Sequence, residues 1–233
     1  MKRNQSINQK NIKDIFQKEQ CFAFHEAGHA TAIYLNNKAK GMPPCYFLIS
    51  FNKLTAEFEE GKIQYQPDEY NYVVNVEGGR LIESLPISFT SLKQQLSENN
   101  ESYPPHLKSF SNYQVAFELD IINLLVGPIA EAKYVAENDG EIINHRLVNV
   151  PALKNYGGGF DLALIDEYLQ SYSDSEQERA EKLNELYKMA FSFVSDYHNW
   201  KAITKVADYI LKTDKHTINC REIAETLGLP GHH

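Results

Sequence analysis

A mainly α fold with a small antiparallel β-sheet (α+β) is what this sequence predicts, and three observations predict it. Long stretches carry apolar residues at helical spacing, and stretches of strand character fall between residues 45 and 76. The 42% hydrophobic content of a 233-residue chain suffices for a sizeable core. The sequence reads as one domain over 1–233, with a loop-rich insertion around 53–112.

Each element has its own warrant. Glu19 to Leu35 (EQCFAFHEAGHATAIYL) is rich in Ala, Phe, Leu and Glu, lacks Pro, and stops at Asn36-Asn37 with Gly41 and Pro43-Pro44 beyond, so it predicts a helix. Ala27, Gly28 and Ala30 leave little bulk on it, which lets another element approach closely. Cys45 to Phe51 and Lys62 to Gln66 read as strands and Tyr70 to Val76 as a third; Tyr46, Phe47 and Phe51 are assigned to the core. Pro86 to Asn112 (with SENNESYPPH) reads as loop, placing His106 in solvent. Tyr113 to about Asn138 has helical periodicity, with a kink or break expected at Gly127-Pro128. Gly157, Gly158 and Gly159 predict a tight turn before a helix with Asp161 at its mouth. Three more helices are expected over Ser175 to about Tyr197, Trp200 to Lys212, and about Asn219 to Leu227.

Charge and composition exclude several classes of function. A net charge of -8, with no basic run interleaved with aromatics, argues against a nucleic-acid partner. The polar first residues precede no apolar segment, and the apolar stretch near Ile121 to Ala132 is short and broken by Gly127-Pro128, so no membrane span is expected. Cys21, Cys45 and Cys220 form no CxxC pair, which suits a reducing, cytoplasmic setting.

The chemistry concentrates in His25-Glu26-Ala27-Gly28-His29. On one helix His25 and His29 lie a turn apart on the same face, so both can ligate one tetrahedral Zn²⁺. Glu26, adjacent to the metal, can then activate a zinc-bound water, which is the HExxH arrangement of metallopeptidases. A third ligand, a His, Asp or Glu, is still required, and the HExxHxxGxxH extension is absent because Thr31 to Leu35 continues as apolar helix. Cys21, one turn before His25, is either a fourth ligand or a small buried residue.

FAFHEAGHATA, then LLVGPIAEA, then YGGGFDLALI, in that order, resembles the peptidase domain of the FtsH family of ATP-dependent zinc proteases. The closing run WKAITKVADYILKTDKHTINCREIAETL is similar as well. The resemblance implies an FtsH-peptidase-like helical domain with an HExxH active-site helix, and it makes Asp161 the third zinc ligand beside His25 and His29, with Glu26 as general base. Val126 to Ala132 matches the family's GGRxAEE-like stretch, with Gly127-Pro128 where that stretch has Gly-Gly-Arg, and Phe160 stands where the family has Asn. No GxxxxGK[ST] phosphate loop occurs, so the implied activity is ATP-independent hydrolysis of unfolded or flexible polypeptide. The expected assembly is a homo-oligomer or a complex with a separate ATPase partner, and only the ATPase would supply the force that folded substrates require. A strand from the 45 to 66 region is expected to pair with the extended peptide. Glu131 either fixes the tautomer of a ligating imidazole or lies on the helix surface, and His145 and Tyr156 are either oxyanion donors or structural. The alternative reading is a catalytically inactive zinc-binding adaptor or regulator derived from such a peptidase.

Overall fold

The computed structural model describes residues 3–52, 73–98, 101 and 103–229, with side chains for those from 17 onward other than 52, 73 and 74. It is mainly helical with one three-stranded antiparallel sheet, as the sequence predicts. The expected strand at Lys62 to Gln66 lies outside the described residues.

Two helices form the frame. Helix α1 runs over Arg3–Ala39, well beyond the expected Glu19 to Leu35 at both ends. Helix α3, Phe110–Asn138, starts at Ser109, whose side chain accepts from the Asn112 amide. The two cross where Gly28 faces Gly127: a Cβ at Gly28 would lie 2.9 Å from Ala130 Cβ and 3.0 Å from Val126 O. Small residues on both helices therefore permit a backbone approach that side chains would prevent. Helix α3 shows no break at Gly127-Pro128. Proline there removes one amide donor, and the buried residues on both sides of it, Val126 and Ile129 among them, keep the helix packed through that turn.

The sheet has the order β2-β1-β3, with β1 Phe47–Asn52 and β2 Val73–Gly78 paired antiparallel, Ile49 opposite Val76. The third strand, β3 (Thr217–Asn219), comes from near the far end of the described chain and pairs Ile218 with Ile49. Phe47 and Phe51 are buried, but Tyr46 is 69% exposed, because it precedes the strand. The loop expected over Pro86 to Asn112 contains helix α2, Phe89–Glu98. Phe89, Leu92 and Leu96 recur at helical spacing and are buried, a pattern masked in the sequence by the surrounding Ser, Asn and Pro. His106 is half-buried rather than solvent-exposed, with Nε2 3.4 Å from Leu81 O.

The remaining helices follow the expected limits closely. They are α4 Gly159–Tyr172, α5 Glu176–Ser195, α6 Tyr197–Lys212 and α7 Cys220–Leu227. Their starts have side-chain caps at Ser175, Asp196 and Asn219, the last as a reciprocal capping box with Glu222. A hydrophobic cluster extends from Ala23 on α1 through α3 to Ile223 on α7. Among the described residues no helix is long and apolar enough to cross a membrane.

Candidate metal centre

The centre is built from α1 upward. His25 and His29 lie on the same face of α1, with ring centroids 4.8 Å apart, and both are buried. Across from them, α4 begins after a short 3-10 turn (Val150–Tyr156) and Gly157, which adopts φ 72°. A side chain at Gly157 would be strained by that φ, and its Cβ would lie 3.0 Å from both His25 Nδ1 and Glu131 Oε2. The turn thus sets Asp161 in the first turn of α4, where the positive end of the helix dipole favours a carboxylate.

The sequence placed His25, His29 and Asp161 together, and the structure brings them together. Asp161 Oδ2 lies 3.3 Å from His25 Nε2 and Oδ1 lies 3.3 Å from His29 Nε2. Ligand atoms from the three residues all fall within 4.8 Å of one another. Two donors on a tetrahedral ion with bonds of about 2.1 Å sit about 3.4 Å apart; each His–Asp separation is close to that, the two running to different oxygens of the carboxylate.

The other ring nitrogens settle the tautomers. His29 Nδ1 is 2.9 Å from Asn123 O, and His25 Nδ1 is 3.2 Å from Tyr156 O and 3.0 Å from Glu131 Oε2. A carbonyl oxygen only accepts, so each Nδ1 carries a proton, and each Nε2 faces Asp161 as the atom that can hold either a proton or a metal. Glu131 is therefore an imidazole-orienting carboxylate and not a helix-surface group. Asn123, Gly127 and Glu131 recur every four residues on α3, forming one stripe against the histidines. The sequence reading missed Asn123 because it acts through its backbone carbonyl.

Glu26 is buried beside the ligands and accepts a 2.8 Å hydrogen bond from the Val76 amide on β2. Burial raises its pKa, while the charges of His25 and His29 and the Val76 amide oppose that rise. Burial alone would lower the His25 imidazole, yet hydrogen bonds to Asp161 and Glu131 and the Glu26 charge bring it up to about 10. Asp161 is the converse case: burial would raise it, but the charges and hydrogen bonds of both histidines hold it well below the usual carboxylate range.

Other expectations find different places. Cys21 is half-buried and stands outside the donor group; burial and the Glu131 charge push its thiol up to about 11, keeping it protonated. His145 is exposed and its ring packs against Phe191, away from the ligands. Tyr156 reaches the site through its backbone carbonyl, 3.2 Å from His25 Nδ1. The ligands open into a cleft of about 560 Å³, lined also by Phe22, Val76, Arg80 and the 92% exposed Phe160.

Fold and site together define an α+β chain with a buried two-histidine, one-aspartate donor set and an adjacent carboxylate. Compared with protein-family models, curated proteins and solved structures, the chain matches none. The kinship with FtsH-like peptidases accordingly stands as a proposal on the residues quoted above.

Proposed function

We propose that the chain is a zinc metallopeptidase of FtsH-like type that hydrolyses peptide bonds in unfolded or flexible polypeptides. One observation carries the reading: both Nε2 atoms converge on the Asp161 carboxylate while both Nδ1 atoms are committed elsewhere, with Glu26 alongside. The donor chemistry, two neutral imidazoles and one carboxylate, fits Zn²⁺. Bound there, the ion would act as a Lewis acid on the scissile carbonyl and acidify water.

The chain's own residues perform the rest. Glu26 takes a proton from the attacking water and passes it to the departing amine. The Val76 amide holds its carboxylate in place, and burial raises its basicity toward that task. Strand β2 lines the cleft, and its outer side has no strand partner among the described residues, which include the 45 to 66 region only as far as residue 52. An extended peptide can add there as a further strand. Three protein donors rather than four, among the described residues, support a catalytic site over a closed structural one. With no phosphate-loop motif in its sequence, the chain by itself is suited to flexible polypeptides; a separate ATPase partner would extend its reach to folded ones.

The test is zinc content together with casein cleavage by wild type and Glu26→Gln. Expected is stoichiometric zinc in both and cleavage in the wild type only. Unchanged cleavage by Glu26→Gln would sink the mechanism, and a metal-free protein would sink the reading.

A further inference from the structure

The cleft has one cationic side chain that the peptide-bond chemistry does not use. Arg80 follows Gly78 and Gly79, both left-handed at φ 87° and 81°. A Cβ at Gly79 would lie 2.5 Å from Ile33 Cδ1, so the chain bends tightly over α1 one turn beyond His29 and delivers Arg80 to the cleft. Arg80 is exposed, and it is the one Lys or Arg lining the cleft among the described residues.

Three carboxylates share the cleft with it. Glu26, Asp120 and Asp161 line the same cleft, and Arg80 makes no ion pair within 4.0 Å among the described residues. The carboxylate that its charge reaches is already committed: Asp120 Oδ1 accepts from the Leu81 amide at 2.8 Å, and Oδ2 accepts from the Ile82 amide at 3.0 Å and the Tyr168 hydroxyl at 2.9 Å. The Arg80 charge acts on Asp120 and on the Tyr168 hydroxyl. A guanidinium has five N–H donors in a planar fork, and the hydroxyl oxygen of Tyr168 can engage no more than two. The remainder suit a carboxylate, which a guanidinium binds with two parallel hydrogen bonds.

Helix α3 gives the spacing between the segment that follows Arg80 and His29. Gly127 abuts His29 Nε2, and Asp120, which holds the Arg80 loop, lies seven residues earlier. That is about 10 Å along a helix. An extended peptide covers it in about three residues.

We infer that Arg80 is a specificity residue of the cleft, binding a substrate carboxylate two to three residues from the scissile bond. The inference rests on the peptidase reading for the register but not for the binding itself. The carboxylate is either an Asp or Glu side chain or the free end of the peptide, and the experiment separates the two.

Fluorescein-labelled flexible peptides carrying Glu, and their Gln counterparts, each with free and with amidated C-terminus, are titrated by anisotropy into the zinc-loaded Glu26→Gln protein. Preference for the carboxylate peptide of about tenfold is expected. It should vanish in Arg80→Ala, return in part in Arg80→Lys, and turn into preference for a Lys-containing peptide in Arg80→Glu. Loss of the preference on Glu-to-Gln exchange assigns a side chain, and loss on amidation assigns the chain end. Equal binding of all peptides, absence of binding, or a preference that survives Arg80→Glu overturns the inference. In the protein with Glu26 intact, the same preference should appear in kcat/KM, with cuts mapped two to three residues from the acid; cuts at random spacing overturn the assigned register. Preference in binding without any cleavage would refute the peptidase reading and leave the Arg80 assignment standing.

Discussion

Gly127→Ala is the sharpest perturbation of the centre, because two opposite effects of one methyl group can be weighed from the structure. Gly127 is helical and has no positive φ, so alanine would ordinarily stabilise α3 by about 1 kcal/mol. Here the added Cβ would lie 2.3 Å from His29 Nε2 and 2.4 Å from His29 Cε1. Ordinary contact begins at 3.4 Å, so the ring would have to retreat by 3.4 minus 2.3, or 1.1 Å. His29 is buried and tied through Nδ1 to Asn123 O, which leaves it little room to do so. Overpacking of this kind costs about 1–3 kcal/mol, which exceeds the propensity gain. A ligand displaced by an ångström also misses the tolerance of about 0.2 Å for metal bonds.

Two measurements follow from that balance. Competition against a chromophoric chelator should show zinc affinity reduced by at least about 100-fold. Thermal unfolding should show the variant no more stable than wild type without metal. It should also lose the rise that zinc at 100 times Kd confers on wild type, about 2.7 kcal/mol. Gly159→Ala is the control, since nothing lies within 4 Å of its Cβ, and its zinc affinity should be unchanged. A Gly127→Ala protein that binds zinc like wild type and melts higher would refute the claim that this glycine seats His29.

Two further perturbations test the supporting groups. Glu131→Ala removes the carboxylate that His25 Nδ1 addresses, and zinc affinity should fall by about 10- to 100-fold; an unchanged titration would return Glu131 to a packing role. Asp120 has a folded pKa raised from 3.8 to about 6, chiefly by burial, against the opposing Leu81 and Ile82 amides. The folded state therefore holds its proton longer than the unfolded chain does, so the contribution is complete below about pH 4, is lost as pH rises to about 6, and is flat above. The difference of about two units corresponds to about 3 kcal/mol. Denaturant unfolding of wild type and Asp120→Asn across this range should show wild type losing ground to the variant as pH rises; parallel curves would refute the assignment.

Much of this was legible in the residues. The helix limits of α4 to α7 could be read because Gly157 to Gly159, Ser175 and Asn219 are local signals: turn glycines and caps act within one helical turn. Helix α2 was not, because its Phe89, Leu92 and Leu96 sit among residues typical of loops and gain helical order from burial against the core. Strand β3 escaped for another reason: three residues gain strand geometry only by pairing with β1, a contact between sequence positions near 49 and 218.

The same division runs through the site. By itself the sequence determined the pair His25 and His29 with Glu26 between them, since helical periodicity alone puts both imidazoles on one face. Asp161 followed from likeness of motif, not from spacing. Only the tertiary structure decided which nitrogens face the metal position, because Asn123 and Tyr156 act through backbone carbonyls, which any residue type would supply. It also decided that Glu131 points inward and that Val76 holds Glu26. Arg80 likewise belongs to the cleft through the bend at Gly79 over Ile33. Periodicity is a property of one helix and can be read along the chain, whereas the partners that orient these groups come from other elements and exist only once those elements pack.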